Sequence, residues 1–471
     1  MKLPTLEYGD LLEHRLGPGR GLDPARLRGD LQERFASALL GFRERRDRGE
    51  LGFLDLPTDA SLARQVVEVA DSFAQWFEEL VVVGIGGSSL GTRALAEGLL
   101  GGHWNELDDE ARDHFPRLHF LDNPDPDTTA ALLDRLDLRR TLFNVVSKSG
   151  GTVETIAQLQ IIEERLRAAV GEEAVRGHLL FTTDPERGDL RRLADAMQVP
   201  ALPVPSNVGG RFSVLSPVGL LAAATVGIEV DRLLAGAAAM ADRCLRDELV
   251  ENPAGILATL LHASDRDMGR SVHVFMPYSD RLRATALWFQ QLWAESLGKR
   301  PGTGGSLEAS SAGVGPTPVA ALGAVDQHSL LQLLMDGPDD KVVLFARIRR
   351  RRDDLAIPGL HLEAPSFGRV AGHTLGGLLD IELRATREAL RRVGRPSLTL
   401  ELDTLDEESL GATLMLCQIA TVLAGELYGV NPLDQPGVEL SKTLTAEFLA
   451  SGSETREGGH PSAVDRAPWT V

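Results

Sequence analysis

The sequence predicts an α/β protein built from two doubly wound parallel sheets flanked by helices. Short β-branched runs recur along it, and most pass through turn residues into a helical pattern, as the strand–helix–strand units of a parallel sheet do. The runs form two series, one from residue 81 to 182 and one from 271 to 402. At 471 residues the chain is also long for a single core.

Residues 1–60 read as a helical segment, through "ARLRGDLQERFASALLGFRERRDRG", and "SLARQVVEVADSFAQWF" continues the helical pattern up to the first strand. Strands follow at 81–85, 117–121, 142–146 and 178–182. The uncharged stretch Phe212 to Ile228 is broken by Ser213, Ser216, Pro217 and Gly219, which marks a buried helix with its entry turn and not a membrane span. The second series has strands at 271–277, 341–348 and 397–402. The glycine, serine and proline of 301–320 predict a surface loop, and 451–471 a flexible tail. The two α/β units divide between 205 and 270, giving 61–230 for the first and 231–450, with a C-terminal helix, for the second.

Composition excludes several functions. A net charge of -19 repels nucleic acid and membrane phosphates, so neither is expected as a partner, and any anionic ligand needs a local site. The acidic opening "MKLPTLEYGD" lacks the apolar core of an export signal. Cys244 and Cys417 stand far apart with no Cys/His cluster, which predicts a reducing cytoplasm and no structural zinc.

The stretch "VVVGIGGSSLG", 81–91, sets a β-branched run against a glycine- and serine-rich loop. A dinucleotide turn would need glycine where Ser89 stands and an acidic residue about 20 positions on. A nucleophile elbow at 87–91 would need several strands upstream, where the chain reads mainly as helix. A phosphate site fits better, because a second loop of the same kind, "NVVSKSGGTVET" at 144–155, again joins strand to helix. Ser147, Ser149 and Thr152 offer hydroxyls, Gly150 and Gly151 allow close backbone approach, Lys148 adds charge, and a helix N-terminus presents unpaired N–H groups. The Walker pattern is absent, so ATP is not implied.

Of the 49 lysines and arginines only five are lysine, and Lys148, Lys299 and Lys442 all fall in motif-like stretches. In "RLRATALWFQQLWAESLGKR" a helix would place Trp288, Leu292 and Glu295 on one stripe and stop at Gly298. A carboxylate beside apolar groups near a helix C-terminus is harder to ionise, which suits a general base. Ser296 and Lys299 spell S-x-x-K, but the companion motifs of a β-lactamase-like site are missing. His328 is expected to open a helix after the flexible loop.

Taken in order, "GIGGSSLG", "SKSGGTVET", "NVGGRFSVLSPVG", "QQLWAESLGK", "DQHSLLQL" and "NPLDQPGVELSK" resemble the glucose-6-phosphate isomerase family of the sugar-isomerase fold group, over roughly residues 30 to 450. The resemblance implies two sugar-isomerase domains and interconversion of glucose 6-phosphate and fructose 6-phosphate, in glycolysis and gluconeogenesis, through ring opening and a cis-enediolate. It implies that Gly87 and Ser88 line the sugar pocket and that Ser147, Lys148, Ser149 and Thr152 bind the 6-phosphate. Arg211 would face the reacting carbons, Glu295 would be the base, and His328 with Lys442 would open the ring. Gln435 would lie on the same side as Lys442 if the helix after Pro436 is regular. The family pattern further implies a homodimer with active sites at the interface, His328 coming from the neighbouring subunit, and no metal or cofactor. The rival expectations are a non-catalytic phosphosugar-binding module, which has no use for Glu295, Arg211 and Lys442 together, and an isomerase that also accepts mannose 6-phosphate.

Overall fold

The computed structural model describes residues 2–74, 76–301 and 312–451. Ten strands, β1 (Thr5–Glu7), β2 (Glu79–Val83), β3 (Arg117–Leu121), β4 (Thr141–Ser147), β5 (Leu179–Thr183), β6 (Ala201–Pro203), β7 (Val272–Pro277), β8 (Thr317–Ala320), β9 (Lys341–Ile348) and β10 (Ser397–Leu402), form two sheets of five. The first has the order β3-β2-β4-β5-β6 and is parallel throughout. The second has the order β1-β10-β9-β7-β8, parallel except for β1, which pairs antiparallel with β10.

Burial of both faces explains why the central strands read as unbroken apolar runs. Along β2, Leu80 and Val82 join a core shared between the two sheets, while Val81 and Val83 pack beneath the outer helices. In β9, Val342, Leu344 and Ala346 face the shared core, whereas Val343 and Phe345 belong to the outer layer of the second sheet. Through the shared core runs helix Glu407–Tyr428, buried at every position from Ser409 to Gly425. Gly411 lets it approach helix Val230–Arg243, since a Cβ there would lie 2.0 Å from the Leu233 carbonyl oxygen. It is long and apolar enough to cross a membrane, yet 89% of its apolar window is buried inside the protein. The uncharged stretch at 212–228 holds the expected buried helix, Pro217–Thr225, with Ser216 as its N-cap.

Three strands depart from the sequence expectation. Residues 1–60 are expected to be helical, but Thr5–Glu7 is a strand of the second sheet. The loop expected over 301–320 ends in β8, while 302–311 lie outside the described residues, as do 452–471 of the expected tail. The third is β6. All three are edge strands of three or four residues, too short to show a period. Pro203 and Pro318 sit in two of them, where an edge tolerates a residue that cannot donate to the ladder.

Candidate active site

Strand order in the first sheet reverses between β2 and β4, and a crevice opens at such a point beyond the C-terminal ends of the strands. The loops that follow these two strands are the two glycine-rich segments.

The loop after β2 makes a tight turn over Gly86–Ser88 and enters helix Leu90–Leu99. A Cβ on Gly87 would stand 2.4 Å from the Gly210 carbonyl carbon and 2.8 Å from the Arg211 nitrogen, so only glycine lets the two backbones meet. Ser213 fastens this contact, its hydroxyl donating to the Gly210 carbonyl at 2.6 Å and the Gly87 carbonyl at 3.3 Å. Ser88 is half-buried on the same turn.

After β4, three hydroxyls converge. Ser147 Oγ lies 2.9 Å from Thr152 Oγ1 and 3.5 Å from Ser149 Oγ, and Ser149 Oγ lies 3.4 Å from Thr152 Oγ1. The backbone N–H groups of Gly150 and Gly151 donate to Ser147 Oγ and Ser149 Oγ. Thr152 holds the N-cap position of helix Val153–Val170 but makes no side-chain capping bond, so its hydroxyl serves the cluster and not the helix. Lys148 does not join them. Its Nζ donates to the carbonyls of Ser206 and Val208, 2.8 Å each, and burial lowers its pKa against the opposing pull of Asp184. It fastens the loop to the segment that leads to Arg211.

Arg211 is buried, with every guanidinium nitrogen engaged. Nε donates to Ser296 Oγ at 2.7 Å, Nη1 to Gln435 Oε1 at 2.6 Å, and Nη2 to the carbonyls of Pro432 and Asp434 at 2.6 and 2.7 Å. Burial presses its pKa down while Glu295 and Asp434 hold the charge in place. Glu295 comes from helix Arg283–Leu297, on the side of buried Trp288 and Leu292, with Gly298 at the C-cap as expected. Its Oε2 lies 3.5 Å from Arg211 Nη1, and Gln291 Nε2 donates to its Oε1 at 3.0 Å. Its charged neighbour is thus a cation that helix periodicity did not reveal. The Glu295 side chain remains 32% exposed, whereas Arg211 is sealed.

His328 and Lys442 are not brought to this cluster. His328 ends the short turn Val325–His328 instead of opening a helix; it is exposed and has no hydrogen bond or ion pair among the described residues. Lys442 lies on helix Glu439–Ser451, where its ammonium bonds Glu439 at 2.7 Å. Pro436–Val438 forms a separate tight turn, so Gln435 and Lys442 are not on one regular helix.

Sequence reasoning missed the residues that hold Arg211 and its loop. Lys299, 8% exposed, pairs with Asp434 at 3.1 Å and donates to the carbonyls of Ser296 and Asn431. Burial takes it down to about 8, opposed by Asp434 and reinforced by Arg211. The S-x-x-K spacing did contain the signal. Ser296 and Lys299 act together there, as scaffold for a guanidinium and not as a nucleophile.

The crevice therefore offers an anion cradle of hydroxyls and amides beside one loop, and a carboxylate facing a fixed guanidinium beside the next. Such a site can anchor a phosphate ester, take a proton and stabilise a negative oxygen. Residues 70–351 match the family model described as phosphoglucose isomerase. A glucose-6-phosphate isomerase of Rubrobacter xylanophilus is 44% identical over 443 residues, 94% of this chain and 96% of the relative. Among solved structures, a hypothetical protein of Thermus thermophilus is similar at 38% identity and a TM-score of 0.83, covering 95% of this chain and all of its own. A glucose-6-phosphate isomerase of Chlamydia trachomatis superposes with a TM-score of 0.72 at 26% identity, covering 84% of this chain and 74% of its own.

Proposed function

Because the chain belongs to the phosphoglucose isomerase family and interconverts glucose 6-phosphate and fructose 6-phosphate in glycolysis, we propose that Glu295 is the base of that reaction and Arg211 the group that holds its developing negative charge. Moving a carbonyl between C1 and C2 requires loss of the proton beside it, which leaves an enediolate oxygen. Glu295 takes the proton from one carbon and returns it to the other, while Arg211 faces the oxygens with a charge that never leaves it. The observation that carries this reading is the 3.5 Å approach of a solvent-reachable carboxylate to a buried guanidinium, held at each nitrogen, against the Gly87 turn. Ser147, Ser149 and Thr152, with the adjacent helix N-terminus, hold the 6-phosphate; Lys148 positions their loop. Gly87 and Ser88 line the sugar pocket, and Gln435 fixes Arg211.

The test is Glu295→Gln. The variant keeps its affinity for 6-phosphorylated sugars and loses about 10²- to 10⁴-fold in rate, the usual worth of a positioned general base. Wild-type incorporation of solvent deuterium at C2 in this variant would show that another group removes the proton.

The same reading makes the enzyme a cytoplasmic homodimer with shared sites, in which His328 from the neighbouring subunit and Lys442 open the sugar ring. Three features support it. The His328 side chain is exposed and unengaged among the described residues. Helix Glu439–Ser451 has no buried residue and leaves Leu440 and Leu444 exposed, a face that a second copy would cover. Lys442 stands only seven positions after Gln435, which is already anchored at Arg211.

A further inference from the structure

The second sheet repeats the plan of the first. Its β8-β7-β9-β10 order matches β3-β2-β4-β5, so it too has a reversal point, between β7 and β9. A cavity of about 170 Å³ opens there beyond the strand ends, lined by Ser279, Arg281, Ile348, Arg351, Arg352 and Asp353. None of these residues belongs to the site around Glu295.

Its lining runs against the charge of the whole molecule. In a chain of net charge -19, positions 347–352 hold five arginines, and the cavity gathers three guanidiniums against one carboxylate. Neighbouring arginines have partners elsewhere: Arg347 and Arg351 share Asp380, and Arg350 bonds Asp403. Arg281 differs. It forms no ion pair among the described residues; its Nη2 reaches only the carbonyls of Leu99 and Leu405 at 3.3 and 3.4 Å, and its buried Nε has no hydrogen-bond partner. Burial and then the like charge of Arg352 hold its pKa below the usual arginine value, against the opposing pull of Glu407, Asp353 and Asp406. Arg352 is 62% exposed and meets Asp353 only at 3.7 Å.

We propose that this crevice is a second anion site, which binds the phosphate group of a small phosphorylated molecule through Arg281 and Arg352. Planar guanidinium forks suit a compact phosphate dianion, and the end of a doubly wound sheet at its reversal point is where such ligands seat. The site is distinct from the substrate's. Arg281 precedes helix Arg283–Leu297, which carries Glu295 near its far end, about 20 Å away at 1.5 Å per residue. Its Nη2 also touches the last turn of helix Leu90–Leu99, which begins immediately after the sugar-pocket loop. Arg281 thus sits between the end of one helix that frames the active site and the start of the other.

The test uses inorganic phosphate followed by ³¹P line broadening at fixed ionic strength, on the full chain with its substrate cradle removed by Ser147→Ala and Thr152→Val. That protein still binds phosphate. Adding Arg352→Gln, at an exposed position that leaves folding intact, weakens the binding about 10-fold or more, as loss of a charged hydrogen bond does. Adding Arg281→Gln instead abolishes it wherever the protein folds. Absence of phosphate binding in the cradle variant at millimolar concentrations, or binding that Arg352→Gln leaves unchanged, overturns the proposal. Neither outcome bears on Glu295, whose test is separate.

Discussion

Arg211 shows how much one side chain can organise. Four of its five N–H donors meet Ser296, Gln435 and the carbonyls of Pro432 and Asp434, so it fastens the C-terminal loop to the helix of Glu295. Lysine would keep the charge and lose the planar fork. Arg211→Lys therefore leaves buried acceptors without donors, at about 1–3 kcal/mol for each. We expect a lower melting temperature and at least about a 10-fold loss in kcat, because misplacement of a catalytic group is costly even with its charge intact. Wild-type kcat in this variant would mean that charge alone suffices. The sequence pointed to Arg211 through a motif, but its partners lie up to 224 positions away and no local pattern could name them.

At the scale of elements, the two loops at the reversal point divide the work. The first brings bare backbone against Gly210, and the second gathers hydroxyls above a helix N-terminus. Both were legible because glycine and serine chemistry is local. The anchoring of Lys148 was not legible for the opposite reason, since the carbonyls that receive its ammonium belong to residues 206 and 208. If the hydroxyl cluster holds phosphate, Thr152→Val raises KM for 6-phosphorylated sugars about 10-fold or more and leaves kcat nearly unchanged, as expected when binding is lost equally from ground and transition states. Steady-state kinetics decide this. A fall in kcat at constant KM would move Thr152 from anchoring the phosphate to the chemistry itself.

For the whole molecule, the two sheets turn their inner faces to one core threaded by helix Glu407–Tyr428, which leaves the reversal points as the open ground. His328 stands exposed, and the C-terminal helix lies uncovered. A dimer with shared sites makes a countable prediction. Glu295→Ala and His328→Ala chains, each nearly inactive alone, are unfolded and refolded in equal amounts. Half the dimers are mixed, and each of these has one site with both residues intact, so activity returns to about a quarter of wild type. If both residues served from the same chain, well-folded mixed dimers would recover nothing.

By itself the sequence determined the α/β class, seven of the strands, the buried helix after Ser216, both glycine-rich loops and the helix of Glu295. Each rests on a period or a turn chemistry read within a few neighbouring residues. Tertiary structure alone decided the edge strands, which draw their pairing from β5, β7 and β10. It also decided the ion pair of Glu295 with Arg211, the diversion of Lys148 and the arginine-lined cavity of the second sheet. These depend on which distant segments fold against one another, and burial leaves Arg281 Nε without a hydrogen-bond partner among the described residues.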